Sequence, residues 1–487
     1  MEATRGIGGG ALGGENRRWW TLGAVSLGLF MIMLDNTVVN VALPSIERDL
    51  GLSLSELEWV VAGYALTFAA FMLTGGKLAD LLGRRRVFVA GLVVFTAASL
   101  ACGLAGSADV LIGARVVQGI GAAMMNPATL SIITATFPAR QRGTAIGIWA
   151  GVAALALAIG PLVGGLLSEH ASWSWIFFVN VPVGALAVGA ALLFIDESRD
   201  TSSDQRPDVP GLVTSGVGLF ALTYALIEAN SYGWGSARIL GAFGLAVVSL
   251  GAFVLLELRQ RRPMLDLTLF RNPTFSGANV AMLLVALAMF GVFFYVSLFV
   301  QQVLGYSPVE AGASFLPATL LIAGLAPKVG SLVDRVGSRW LTGGGMTLLA
   351  MSLLVFSRLD ADSSYWNLLP GLVIMGVGMA LTMTPTTTAA MSSVPRDQAG
   401  VGSAVLNSMR QVGGSLGIAV TGAIVAHVAS TSLAAGHTRQ DAFVDGFQRG
   451  LEVGAAIALV GAVVAVATMR THLQHAPVEE GALQEAA

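Results

Sequence analysis

The amino-acid sequence predicts an all-α polytopic membrane protein: two six-helix halves plus two inserted helices, fourteen transmembrane helices in all. Three observations carry this. Of the residues, 55% are hydrophobic and 11% charged, with a mean hydropathy of +0.74, whereas soluble domains carry about 25% charged residues. Apolar runs follow one another along the chain, most of them near or above the ~20 residues that a helix needs to cross a bilayer. Finally, the chain repeats itself. Gly76, Leu78, Asp80, Gly83 and Arg85 recur as Gly330, Leu332, Asp334, Gly337 and Arg339 at an offset of 254 residues. Pro138, Gln141 and Gly143 recur as Pro395, Gln398 and Gly400 at an offset of 257.

Residues 1–18 are Gly-rich and are expected to form a disordered cytoplasmic N-terminus. Span 1, residues 20–46, is too long for a signal-peptide core and lacks a small-residue cleavage site. Spans 2 to 6 cover 56–76, 86–106, 108–134, 143–168 and 174–195 and complete a first bundle, 19–195. Spans 7 and 8, at 209–229 and 237–257, lie in a linker, 196–273, outside both repeats. They are expected outside the twelve-helix core, with their one internal acid, Glu228, read as a solvated interfacial residue. Spans 9 to 14 cover 274–302, 309–330, 337–357, 364–389, 398–426 and 446–469 and form a second bundle, 274–469. The tail, 470–487, is polar. An even number of spans puts both termini on one side. With the N-terminus inside, twenty Lys and Arg fall in inner segments and five in outer ones, so positive charge marks the terminal side as cytoplasmic.

Several classes of activity are excluded. A net charge of −2 gives no footprint for nucleic acid. The single cysteine, Cys102, offers neither a disulfide framework nor a thiolate metal site. The five histidines lie outside the spans, and no nucleophile–base constellation or metal-ligand cluster appears. The expectation is a non-enzyme without metal or cofactor. Duplicated six-helix halves are a transporter architecture, with the substrate at the repeat interface near the midplane.

The chemistry centres on Met33 to Pro44, late in span 1, where Asp35, Asn36, Thr37 and Asn40 interrupt an apolar run. A carboxylate near the middle of a membrane helix costs roughly 2.5–3.5 kcal/mol on insertion scales and is expected to face a water-filled cavity; its bland alternative is a structural hydrogen-bond acceptor. In span 4, Arg115, Gln118, Ala122 and Asn126 share one face. The guanidinium there needs an anionic or carbonyl partner, and Asp35 is the obvious one. Span 5 lines up Gly147, Gly151, Ala154, Ala158, Pro161 and Gly165, a strip along which another helix can approach closely, and Gly160-Pro161 can bend it. Span 13 places Ser403, Asn407, Arg410, Gln411 and Gly414 on a second polar face. Asp35 has no acidic mate in span 9, where the offset of 254 lands on Met289. Asp80 is read as a helix cap or a partner of Arg84 or Arg85, latching spans together.

These residues carry a resemblance. The chain resembles the major facilitator superfamily over all fourteen spans. The loops at 76–85 and 330–339 resemble that superfamily's cytoplasmic signature, departing from it at Leu81 and Ser338, where Arg is usual. Leu34 to Pro44 is similar to the first-helix motif of the fourteen-span drug:proton antiporters. Arg115, Gln118 and Gly119 resemble the family's span-4 motif, and Gly151 to Gly165, with Gly160, Pro161, Gly164 and Gly165, its span-5 antiporter motif. Some relatives carry an acid in span 13 where this chain has Arg410.

The resemblance implies a major facilitator fold and a bacterial inner-membrane antiporter that exports amphipathic drug-like compounds. The expected mechanism is rocker-switch alternating access driven by a proton gradient. Asp35 is the expected proton carrier, tuned by Arg115. Candidate substrate contacts are Asn36, Asn40, Gln118, Asn126, Phe294, Tyr295, Met379, Met383, Asn407 and Arg410. Gly76, Asp80, Gly83, Arg84, Arg85, Gly330, Asp334 and Gly337 form the candidate cytoplasmic gate. Partners are small amphipathic substrates, protons and membrane lipid, with a monomer expected. The rival readings are an exporter or flippase of a native lipid or secondary metabolite and, more remotely, a non-transporting membrane sensor.

Overall fold

The computed structural model describes residues 14–199, 208–260, 263, 265–394 and 399–470. Every regular element among them is helical, and fourteen segments are long and apolar enough to cross a membrane. The first half contains α1 (Gly14–Leu50), α2 (Leu54–Leu82), α3 (Arg84–Gly103), α4 (Ala108–Thr136) and α5 (Ala139–His170); its sixth span is split into a turn, α6 (Trp175–Phe178), and α7 (Asn180–Phe194). The inserted pair is α8 (Val209–Tyr232) and α9 (Ala237–Arg259). The second half opens with α10 (Pro273–Leu298), which continues into a π-helical turn, Phe299–Val303. It goes on through the short α11 (Pro308–Ser314), α12 (Leu316–Val336), α13 (Ser338–Phe356), α14 (Tyr365–Ser392), α15 (Ala399–Ala434) and α16 (Arg439–Thr468).

Helix ends follow capping rather than hydropathy. Ser53 and Glu56 form a reciprocal capping box on α2, and Ser307 and Glu310 form another on α11. Ser107 and Thr438 cap α4 and α16. Apolar runs mark only the hydrocarbon-spanning part, so α1 continues through Glu47 and Arg48 to Leu50 and α15 continues to Ala434.

The internal repeat is visible in the backbone. Gly83 closes α2 at φ 116° and Gly337 closes α12 at φ 85°, where a side chain is disfavoured. Their amides bond to Ala79 and Val333, again 254 apart. Gly91 of α3 lies against the carbonyl of Gly121 on α4, and Gly345 of α13 against that of Gly378 on α14. These are equivalent pairs at the same two offsets. A Cβ at any of the four would meet backbone at about 3 Å or less, so the close helix crossings require glycine. The second repeat pair is only half in view, because residues 395–398 lie outside the described ones. So do residues 1–13 and 471–487, which include most of both expected tails.

The halves meet through α1 on α10, α2 on α15 and α5 on α11 and α12. Ser297 Oγ donates to the carbonyl of Asn40 and Gln301 Nε2 to that of Val41, both at 2.9 Å. The Val309 amide donates to Glu169 at 2.9 Å. Gly165 packs on the Pro308 backbone and Gly312 on that of Pro161. These contacts run from mid-bundle to the end remote from the termini. Toward the terminal end, a Cβ at Gly147 or Gly151 of α5 would meet nothing within 4 Å. These contacts between the halves thus lie from mid-bundle to the remote end, and none of them involves the terminal part of α5. Only the remote part of the span-5 strip is occupied; the side chain of Ala154 lies outside the described ones.

The inserted pair sits on the outside: α8 packs against α2 and α15, and α9 against α8. Glu228 is half-buried and accepts a 3.2 Å hydrogen bond from the Trp59 indole of α2. It is thus anchored to the bundle and not simply solvated, because Trp59 needs an acceptor where it is packed away from water.

Candidate functional site

The polar side chains of α1 mostly satisfy themselves. Asn36 donates to the carbonyl of Ile32 at 2.8 Å, Thr37 to that of Leu34 at 3.0 Å and Asn40 to that of Asn36 at 3.2 Å. Such back-bonding to the preceding turn is open to short polar side chains. A carboxylate only accepts, so Asp35 must find donors on another helix. It finds them on α4. Arg115 Nη1 donates to Asp35 Oδ2 at 2.6 Å, and Gln118 Nε2 to Asp35 Oδ1 at 2.9 Å. Asp35 is 0% exposed and Arg115 1%.

The network extends behind this pair. Arg115 Nη1 also donates to Gln118 Oε1 at 2.6 Å, and its Nε to the carbonyl of Val60 on α2 at 3.0 Å. Gln118 Nε2 donates to Ser99 Oγ on α3 at 2.7 Å, and Asn180 Nδ2 of α7 to the same oxygen at 3.4 Å. The guanidinium lies 4.2 Å from the centroid of Tyr64, within cation–π range. Glycines close the wall: Gly160 packs on Thr37 and Gly164 on the backbone of Val38, so α5 fits over the Asp35 stretch with no room for a side chain.

This differs from the expected open setting. Asp35 is enclosed inside the first half and reaches no cavity directly, because Gln118 and Arg115 take both of its oxygens. Among the substrate candidates, Gln118 is committed to this network, while Phe294 and Tyr295 are fully enclosed, packed together at 4.9 Å. Asn126 is buried, and its carbonyl accepts from Thr129 at 2.7 Å. Asn36, Asn40, Met379, Met383, Asn407 and Arg410 are partly open. Asn407 back-bonds to Ser403 at 3.1 Å. Arg410 Nε and Gln411 Nε2 are buried without a hydrogen-bond partner, and no carboxylate pairs with Arg410 among the described residues.

In the loop after α2, Asp80 pairs with Arg84 through Nε and Nη2 at 3.1 and 3.0 Å, which selects pairing over capping. Arg85 reaches the carbonyl of Leu192 at 2.8 Å, and its amide donates to Glu197 at 3.2 Å. The loop thus fastens α2, α3 and the end of α7 within the first half. Gly76 and Gly330 each have one side chain at ordinary contact distance, Pro127 and Thr384 respectively. The side chain of Asp334 lies outside the described ones.

Sequence reasoning passed over Ser99, Asn180 and Glu58. The first two are single polar residues in apolar runs, with no periodic signal. Glu58 sits two residues inside predicted span 2, close enough to its end to read as interfacial. In the structure it is 2% exposed and accepts a 2.6 Å hydrogen bond from Tyr295 of the other half.

Fold and site together define a polytopic membrane transporter, not an enzyme. Comparison with known proteins sharpens this. The family model described as Major Facilitator Superfamily matches residues 25–418, and the chain belongs to that superfamily. It is 39% identical over 416 residues to the tetracenomycin C resistance and export protein of Streptomyces glaucescens, covering 85% of this chain and 77% of that one. It is 37% identical over 463 residues to the puromycin resistance protein of Streptomyces alboniger, covering 94% and 91%. It is 40% identical over 416 residues to the multidrug resistance protein Stp of Mycobacterium tuberculosis, covering 85% and 77%. Among solved structures, a bacterial homologue of the human lysosomal transporter Spinster, in an inward-facing and unoccupied conformation, matches with a TM-score of 0.69. At 20% identity it covers 95% of this chain and 99% of that one, which establishes the shared fold.

Proposed function

We propose that the chain is a proton-coupled antiporter that exports amphipathic drug-like compounds from the cytoplasm of a bacterium by alternating access, with both termini cytoplasmic and the monomer as working unit. The observation that carries this reading is the enclosed Asp35–Arg115 pair on the first-half side of α2. An ion pair without water is costly to build and strongly destabilised when one partner is lost. A protonated Asp35 no longer matches its cation, so proton arrival is felt by α1 and α4 as an electrostatic change. In this reading the halves meet at the remote end, and the intact pair represents the state after the proton has left toward the cytoplasm. Reprotonation belongs to the opposite state. The relatives, named as drug and antibiotic resistance proteins, support the substrate class.

The energetics suffice. One proton moving down 100 mV supplies about 2.3 kcal/mol, and at ~1.4 kcal/mol per tenfold this sustains roughly a fifty-fold substrate gradient. Arg410 deepens the substrate assignment: a cation on the partly open polar face of α15, with no carboxylate partner among the described residues, favours substrates that bring an acceptor-rich or anionic group. The experiment is accumulation of a fluorescent drug in inverted vesicles under an imposed pH gradient. Wild type accumulates drug and loses it on adding an uncoupler. Gradient-driven accumulation by Asp35→Asn equal to wild type would contradict the assignment.

A further inference from the structure

α2 carries a second carboxyl, which the coupling path above leaves unused. Glu58 lies one turn into the helix, at the end where the halves are closed. Its Oε1 accepts from the Tyr295 hydroxyl of α10 at 2.6 Å, and a Cβ on Gly422 of α15 would overlap the carboxyl. The group is therefore shut between the first half and two helices of the second. The titratable groups that face it are Tyr295 from α10 and Glu228 from α8, which the Trp59 indole holds beside it; α15 presents glycine. Arg115 of α4 lies across α2, bonded to the carbonyl of Val60 two residues along, with its charge spent on Asp35. Among the described residues, no lysine or arginine pairs with Glu58.

An enclosed carboxylate without a cation costs far more than a neutral carboxyl, and the neutral form still accepts a hydrogen bond at Oε1. When the remote end opens, Tyr295 and Gly422 move off and the group meets water, which restores the ionised form. We infer that Glu58 is a second proton-binding site, a latch that takes up one proton from the medium on the remote side as the halves close and returns it there as they open. This rests on the alternating-access reading above. Because the proton comes from and returns to the same side, the latch leaves the coupling ratio unchanged. It sets how gate opening depends on the pH of that medium: acid holds the gate shut and alkali releases it. Only Asp35, on the other face of α2, exchanges a proton across the membrane.

Spin labels at Ala171→Cys and Ala361→Cys, in a Cys102→Ser background, report the separation of the halves at the remote end. Across a pH series in lipid nanodiscs, the ratio of open to closed populations should rise with pH, by up to about tenfold per unit for one linked proton. Asp35→Asn should retain this dependence. Glu58→Gln should abolish it and stay closed, and Tyr295→Phe should shift its midpoint toward lower pH while keeping its slope. A flat profile in the otherwise unmodified chain, or an unaltered profile in Glu58→Gln, overturns the latch. Loss of the dependence in Asp35→Asn but not in Glu58→Gln assigns it to the coupling carboxyl and overturns the latch too. Failure of the coupling reading shows elsewhere, as gradient-driven transport retained by Asp35→Asn.

Discussion

The two halves share a backbone and differ in charge. Gly83 and Gly337 turn the chain alike, and Gly91–Gly121 and Gly345–Gly378 cross alike. Yet the first half encloses a fully paired carboxylate and guanidinium, whereas the second holds a partly buried Arg410 with no carboxylate partner among the described residues. The difference teaches a division of labour. Packing glycines are kept in both copies because both must build the same bundle. Charges are not, which fits the proposal that one copy handles the proton and the other meets the substrate.

The most damaging change to this arrangement is expected from Arg115→Ala. It strands Asp35 inside the first half without its cation, a loss of about 3–5 kcal/mol for a buried pair broken on one side. The mutant should melt well below wild type in detergent. Where it still folds, gradient-driven efflux should fall well below that of wild type. An unchanged melting curve would show that the pair is not the fixed centre of the first half.

Arg410→Ala should leave stability nearly unaltered and change selectivity instead. A charge-assisted hydrogen bond contributes about 1.5–3 kcal/mol, or roughly ten- to a hundred-fold in affinity. Binding of anionic or acceptor-rich drugs should fall by that factor, while binding of neutral analogues stays within about twofold. Equal losses for both classes, measured by tryptophan-fluorescence titration, would remove the charge argument.

The glycine turns sharpen the comparison. Gly83→Ala sets a side chain against Glu197 as well as at positive φ, and Gly337→Ala sets one at positive φ in the other half. Each is expected to cost on the order of 1–3 kcal/mol, as read from thermal unfolding. The smallest effect belongs to the inserted pair: Glu228→Gln keeps an acceptor for Trp59 and should change stability by less than about 0.5 kcal/mol and leave the substrate range intact.

The fold was legible because it rests on signals that sum along the chain. Fourteen apolar runs, charge asymmetry and two repeat offsets do not depend on any one residue. The Asp35–Arg115 pair was also legible, because an acid and a base inside apolar spans have few partners to choose from. Its enclosure was not, since that depends on Gln118 taking the second oxygen and on Gly160 and Gly164 admitting α5. Glu58–Tyr295 was hidden for another reason. The two residues are 237 positions apart, and each alone looks ordinary: an acid near a span end and an aromatic residue in an apolar helix. Only the closing of one half on the other brings them together. Phe294 and Tyr295 suit ligand contact by residue type, but on α10 both are fully enclosed by packing.

The central claim, that the exchanged proton resides on Asp35 in the first half, is tested most directly by counting protons rather than substrate. Purified protein in weakly buffered solution with a pH-sensitive dye is mixed with a transported drug over a series of starting pH values. Wild type should release protons as the drug binds. Asp35→Asn should bind the drug and release none. Proton release from Asp35→Asn equal to that of wild type would contradict the account and place the exchanged proton on another group.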